Sequence, residues 1–279
     1  MRIEYWQSVS TPPLDDWPPD VFNLYDCIDQ WRDAEIVNIW AAAGLPEQLF
    51  IAFVVQLASD AGIESNRLRL LQFERTQTRG DRVLGMGMLN GENMAAYPDP
   101  TAISASLRDD YLGAWRALTS PNPTLISKFV KDRPGANVWL REMIPLLANQ
   151  FPDISSGLPR WDYALLKMVR HRGPTIARVI GFTLTDTYDD GDTIGDWTLF
   201  HRLKRLASPD LPNPLVQIVE NGRNRFRGNA SLTSHGKAVL DGEISNAKLN
   251  PIDDWAAGVR LSSAEGNVWF NDHGSIVRG

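Results

Sequence analysis

Two groups of basic and polar residues in this 279-residue chain have types and spacings that could do chemistry. Arg202, Lys204 and Arg205 fall within four residues of one another in GDWTLFHRLKRLA, and Arg223, Arg225 and Arg227 alternate with Asn224, Phe226 and Gly228. The period of two of an extended strand puts the last three arginines on one side, where guanidinium forks can grip phosphates. The second group is Trp40, Glu47 and Glu74, at the ends of two apolar stretches, where an open parallel sheet places a ligand. Paired carboxylates occur at Asp15-Asp16, Asp109-Asp110, Asp189-Asp190 and Asp253-Asp254. Adjacent positions rarely face one pocket, so Asp189-Asp190-Gly191-Asp192 reads as a turn with a helix cap and Asp253-Asp254-Trp255 as a structural corner.

Several chemistries are excluded by what the spacing lacks. The four histidines, His171, His201, His235 and His273, stand at no metal-ligand spacing, and no metal or cofactor is expected. Cys27 is the single cysteine, which rules out an intrachain disulfide; in VFNLYDCIDQW it reads as a small core residue. Gly85, Gly87 and Gly91 only superficially resemble a phosphate loop, and the turn after Trp40, AAAGLPEQ, has one glycine where such a loop needs several. No Gly-x-Ser-x-Gly elbow is present. The net charge of -6 argues against a surface coated in positive potential. With no basic-then-apolar leader and no run of roughly 18 apolar residues, the expectation is a soluble cytoplasmic protein with no membrane contact.

The elements that must position these residues fall into an α/β pattern. EIVNIW, LPEQLFIAFVVQLASDAG and RLRLLQFE read as strand, helix and strand, one βαβ unit of a parallel sheet that is Rossmann-like in the broad sense. The apolar strands suit a sheet covered on both faces. From about residue 100 to 151 the pattern is helical, interrupted at Ser120-Pro121-Asn122-Pro123, with Trp115, Trp139 and Leu146 as core candidates. FPDISSGLPR reads as a junction. Beyond it come three amphipathic helices, WDYALLKMVRHRG, TIARVIGFTLTDTY and TIGDWTLFHRLKRLA, followed by PLVQIVE and RFRGNASLT around an Asn221-Gly222 turn. Three helices and a hairpin make a winged helix. Ser234 is expected to cap a closing helix. The expected division is an α/β domain with a helical extension over 1–152, a winged-helix domain over 158–260 and a tail over 261–279 that adds one strand.

Several blocks together resemble a bacterial family of uncharacterised proteins, the domain-of-unknown-function family 1835. They are VLGMGMLN, AWRALTSPNP, GLPRWDYALL, GDWTLFHRLKRLA, LTSHGKAVLDGE and LNPIDDWAAGVRL, spread from about Asp33 to Asp272. The resemblance implies a Trp-x-Glu-His-Asp cluster after the first strand, where this chain has Trp40 followed by Ala41, Ala42 and Ala43. It implies Gly-Val-His late in the chain, where Gly258-Val259-Arg260 stands instead. It brings no activity with it.

Residues 158–260 hold fourteen Lys plus Arg against twelve Asp plus Glu, so the chain's acidic excess lies outside them. The leading expectation is a non-enzymatic regulatory or adaptor protein. Its winged helix would contact double-stranded DNA or a protein partner through Arg202, Lys204, Arg205 and the arginines of the wing. The third helix is expected to pack through Ile194, Trp197, Phe200 and Leu203, with its basic residues outward. Asp192 and Asp196 at its start oppose base reading, because carboxylates repel phosphate. The alternatives are an enzyme or small-ligand binder at the sheet's carboxyl edge near Trp40, Glu47 and Glu74, and a structural interaction module, such as a homodimer through the winged helix.

Overall fold

A computed structural model of the chain describes residues 27–75, 81–132, 137–186, 191–220 and 228–279. Their architecture is mixed α/β, with short sheets of two or three strands separated by helices. A first helix, α1 (Cys27–Asp33), contributes no buried residue, and Cys27 itself is only half-buried rather than a core residue. Strand β1 (Val37–Ala42), helix α2 (Leu45–Asp60) and strand β2 (Leu68–Phe73) follow, and β1 and β2 pair in parallel from Val37 opposite Leu68 to Ala42 opposite Phe73. A short strand β3 (Thr101–Ala102) adds antiparallel to β2.

Helix α2 starts where Gly44 and Pro46 permit it, proline fixing φ in the first turn where its missing N–H costs nothing. Ile51, Val54, Val55 and Ala58 on α2 bury against Val37, Ile39, Leu68 and Leu70. Each fully buried aliphatic side chain contributes about 1.5–3 kcal/mol. The opposite face of the sheet is less complete than expected. Ala42, Leu71 and Phe73 are covered there by Val83, Met86, Met88 and Tyr97, but Asn38 and Trp40 on the same face of β1 are exposed. Gln48, fully buried on α2, is satisfied by donating to the Ala42 carbonyl (2.8 Å) and accepting from the Tyr111 hydroxyl (3.0 Å).

Between residues 83 and 97 the chain makes a 3₁₀ turn at Met86–Met88 and a short helix α3 (Gly91–Ala95). Then come α4 (Ala105–Leu118), capped by Ser104, α5 (Thr124–Asp132), α6 (Val138–Met143), capped by Asn137, and a 3₁₀ segment Ile144–Gln150. The break between α4 and α5 falls at the proline pair, as the sequence requires. Trp115 and Leu146 pack at the margin of the core. Trp139 does not: it lies half-buried at the surface, its ring under the Arg82 guanidinium and its indole N–H on Glu74.

A second core is built by α7 (Arg160–Arg172), α8 (Ile176–Asp186) and α9 (Asp196–Leu206), with strands β4 (Val216–Val219) and β5 (Asn229–Leu232) paired antiparallel and α10 (Ser234–Leu240) closing it. Leu165, Leu166, Val179, Ile180, Leu199, Phe200 and Leu203 fill it. Thr233, not Ser234, caps α10, accepting from the Gly236 N–H at 3.1 Å. The Asn221-Gly222 turn and Arg223, Arg225 and Arg227 lie outside the described residues.

The end of the chain corrects the expected division. After α11 (Asn246–Leu249), strands β6 (Asp253–Ala256) and β7 (Val259–Ser262) form a hairpin, and β8 (Trp269–Asp272) and β9 (Ser275–Arg278) form another, so the tail supplies two strands rather than one. Ile252, Ala256, Val259, Leu261 and Ile276 bury in the first core, among α2, α4 and α5 residues. The hairpin tip Ala257-Gly258 sits against the end of α4, where a side chain at Gly258 would collide with the Leu118 carbonyl. The Ala257 N–H donates to Gln150 at 2.9 Å. The sheet unit is therefore discontinuous in sequence, and the helix–hairpin unit is an insertion into it.

Candidate functional site

The helix–hairpin unit meets the sheet unit through charge. On α9, Arg202 presents its guanidinium edge to Asp162 of α7 in a two-bond fork, Nε to Oδ1 at 2.6 Å and Nη2 to Oδ2 at 2.9 Å. The same Nη2 donates to Asp254 Oδ2 on β6 at 3.1 Å. Arg205, one turn along, donates to Asp254 Oδ1 at 2.7 Å and to the Asp253 carbonyl at 2.8 Å. Asp253 in turn receives Arg260 of β7 at 2.7 Å. The three central side chains are nearly enclosed, with Arg202 and Asp254 each 17% exposed and Asp162 13%.

Burial works to raise the Asp254 carboxyl, but the guanidiniums of Arg202 and Arg205, with the Trp255 N–H, outweigh it and hold the group below its ordinary value. Burial likewise opposes the charge on Arg202. Asp162 and Asp254 more than offset that and raise its proton affinity above the ordinary arginine value.

These contacts overturn, for Arg202, the expectation that the basic residues of α9 face outward: Arg202 is an enclosed structural cation. Lys204 and Arg205 are exposed as expected, though each has a carboxylate partner, Glu220 at 3.3 Å and Asp254 at 2.7 Å. Phe200 and Leu203 do pack inward as expected, together with Leu199 and Leu206, while Trp197 and Ile194 lie at the margin. The aspartates of the network were read as a corner at most. Asp162 and Arg202 are forty positions apart and Asp254 a further fifty-two, so no local spacing announces the triad.

The carboxyl edge of the sheet is also taken. The Ala43, Gly44 and Leu45 N–H groups, the donors that an anion at the start of α2 would need, bond to the carbonyls of Val83 (2.9 Å), Leu84 (3.1 Å) and Gly191 (2.7 Å). Glu47 accepts from the Met86 N–H at 3.0 Å, and Glu74 accepts from Trp139 at 3.4 Å. Trp40 stands apart, 44% exposed on the sheet face beside Phe73. Trp40, Glu47 and Glu74 are thus not gathered around an open crevice. The phosphate-loop look-alike at Gly85 and Gly87 becomes the 3₁₀ turn that helps close it, and Gly191, just before α9, completes the closure from the helix–hairpin unit.

Open spaces among the described residues lie elsewhere. A cleft of about 80 Å³ beside Arg205 and Asp254, bounded by Pro159, Asn250 and Ile252, has room for ordered water only. A groove of about 570 Å³ between α7 and α10 has Tyr163 on its rim. Its cations already have partners, Arg160 with Asp192 at 3.7 Å and Lys167 with Asp186 at 4.0 Å. No group of three or more His, Cys, Asp or Glu able to hold a metal occurs among the described residues, and no helix among them is long and apolar enough to cross a membrane.

No protein-family model matches the chain, and no curated protein matches it either.

Three outcomes follow. Replacing Arg202 with Met strands the nearly enclosed Asp162 and leaves Asp254 to Arg205 alone, and is expected to cost about 3–5 kcal/mol in urea unfolding, whereas Lys204→Met at the exposed pair costs about 1 kcal/mol or less. Because the folded value of Asp254 lies below its ordinary 3.8, its contribution is complete above that pH and fades only below it; the stability gap between wild type and Asp254→Asn should be flat from pH 7 to about 4 and then narrow. Gly44→Ala pushes a methyl into the Leu84 carbonyl and should destabilise by about 1–3 kcal/mol in the same assay, as expected of a packed edge and not of an empty ligand loop.

Proposed function

We propose that this chain is a non-enzymatic regulatory or adaptor protein, in which a winged-helix type unit makes the external contact and a Rossmann-like sheet unit serves as its support. The observation that carries the reading is the Arg202 network. The helix that such a unit would lay in a DNA groove is fastened by Arg202 and Arg205 to β6 of its own chain. The closed carboxyl edge supports the non-enzymatic part, since the backbone donors that would receive a substrate or phosphate are spent on the chain's own carbonyls. The motif resemblance to the family 1835 belongs to this proposal and assigns no activity to it.

On this reading α9 reads no base sequence. Asp196 at its exposed start adds repulsion towards phosphate, and beyond the network the helix offers the exposed Lys204 and the half-buried Thr198, while the His201 ring packs on Trp197 and Phe200. Any contact with DNA is then made through the backbone, and the partner is selected by charge.

Selection of the full chain over a pool of randomised duplexes tests this. Recovered sequences should show no consensus. A consensus that disappears on Thr198→Ala and Lys204→Gln would replace the adaptor reading with that of a sequence-specific regulator acting through α9.

A further inference from the structure

We propose that the corner between α7 and α8 is a contact site for the phosphodiester backbone of duplex DNA, with Arg172 and Arg178 as the phosphate-gripping groups and Phe182 as the ring that holds them in place. The proposal rests on the reading of this unit as the contacting end of the protein.

The geometry starts with the sequence spacing. Arg178 and Phe182 are four apart on α8 and so lie on one face, and that face points away from the core, which Val179, Ile180 and Thr183 enter. Arg172 is the last residue of α7 and comes at the same ring from the preceding helix. Its guanidinium carbon is 4.5 Å from the Phe182 centroid, and that of Arg178 is 5.9 Å. A guanidinium resting on a ring keeps its N–H edge free for an oxyanion, and the stacking removes side-chain freedom before a ligand arrives.

Both cations are exposed, and among the described residues neither meets a carboxylate. That separates them from the neighbouring basic residues: Arg170 is bonded to Asp241 at 2.7 Å, Lys167 faces Asp186, and Arg202 and Arg205 are held by Asp162 and Asp254. In a chain with net charge -6, two adjoining cations with no carboxylate partner among the described residues, on a stretch that carries a positive excess, form a local attractor for a polyanion. The exposed His171 lies beside them.

The observations favour DNA over an acidic protein segment. The apolar part of this surface is a single ring, 36% exposed and already overlaid by its own arginines, so there is no pocket for an apolar anchor. What the corner offers is charge with the geometry of oxyanion recognition. A duplex presents phosphates continuously and needs nothing more for sequence-independent contact.

The experiment is a fluorescence titration of a labelled mixed-sequence duplex of about 20 base pairs with the full chain at several salt concentrations. Four proteins are compared: wild type, Arg172→Gln with Arg178→Gln, Lys204→Gln, and Arg223→Gln with Arg225→Gln and Arg227→Gln. Thermal melting should leave the Arg172/Arg178 variant within a degree or two of wild type, because both side chains are exposed and meet no carboxylate among the described residues. The expected result is salt-sensitive binding by wild type and Lys204→Gln. In the Arg172/Arg178 variant, affinity should fall on the order of tenfold and the log–log salt slope should flatten by about 2, the signature of two lost phosphate contacts.

Undiminished binding by that variant overturns the proposal. If the wing variant alone loses binding, the adaptor reading survives with its contact elsewhere in the unit; if neither variant loses it, both fall. Absence of binding by wild type at low salt also overturns the proposal. Retention of a polyglutamate peptide in place of the duplex would reassign the corner to an acidic protein partner and overturn the assignment to DNA.

Discussion

The arrangement of this protein depends on one nearly enclosed guanidinium. Arg202 is shared between Asp162, in its own helical unit, and Asp254, on a hairpin of the sheet unit, so a single side chain fixes the packing of α9 on α7 and of both on β6. An ion removed from water is costly, and the cost is met here because the charges are matched closely and the fork geometry uses both oxygens of Asp162. Arg205 adds a second bond to Asp254 and one to a main-chain carbonyl, which ties α9 to β6 again one turn further along. A hydrophobic joint of the same area would tolerate sliding; a shared guanidinium defines register.

That constraint reaches the sheet. With α9 held on β6, the segment before it brings the Gly191 carbonyl onto the Leu45 N–H, and the first turn of α2 is closed by the neighbouring unit as well as by Val83 and Leu84. The feature that makes an open parallel sheet a ligand fold, a crevice at the strand ends with free backbone donors, is thereby removed. The run Ala41-Ala42-Ala43 fits this arrangement, since all three are fully buried, Ala41 in the main core and Ala42 against the loop that covers the edge. On the proposed reading, the working surface is the outside of the helix–hairpin unit.

Much of the local structure was legible in the sequence. The strand–helix–strand of residues 37–73, the proline break after Leu118 and the three helices from Arg160 to Leu206 follow from periodicity, caps and breakers within short windows. The misreadings have a common cause. Trp139 was placed in the core on its size, but its indole N–H and face are used by Glu74 and Arg82 at the surface. The charge of Arg202 predicts an outward position, but its carboxylate partners lie beyond any window that a pattern can span. The hairpin at 253–262 was grouped with the segment before it, whereas its apolar residues complete a core begun two hundred residues earlier.

The sequence alone determined which segments are helical or extended, and it excluded a thiolate metal cluster, a nucleotide fingerprint and a serine-nucleophile elbow, because those depend on composition and near-neighbour spacing. Tertiary structure alone decided which cations are spent and which are free. Arg202 and Arg178 have the same chemistry and stand on similar amphipathic helices, yet one is held between two aspartates and the other rests on an exposed ring. The physical reason is that an ion's availability is set by the charges within a few ångströms of it, and chain folding, not sequence proximity, brings those charges together.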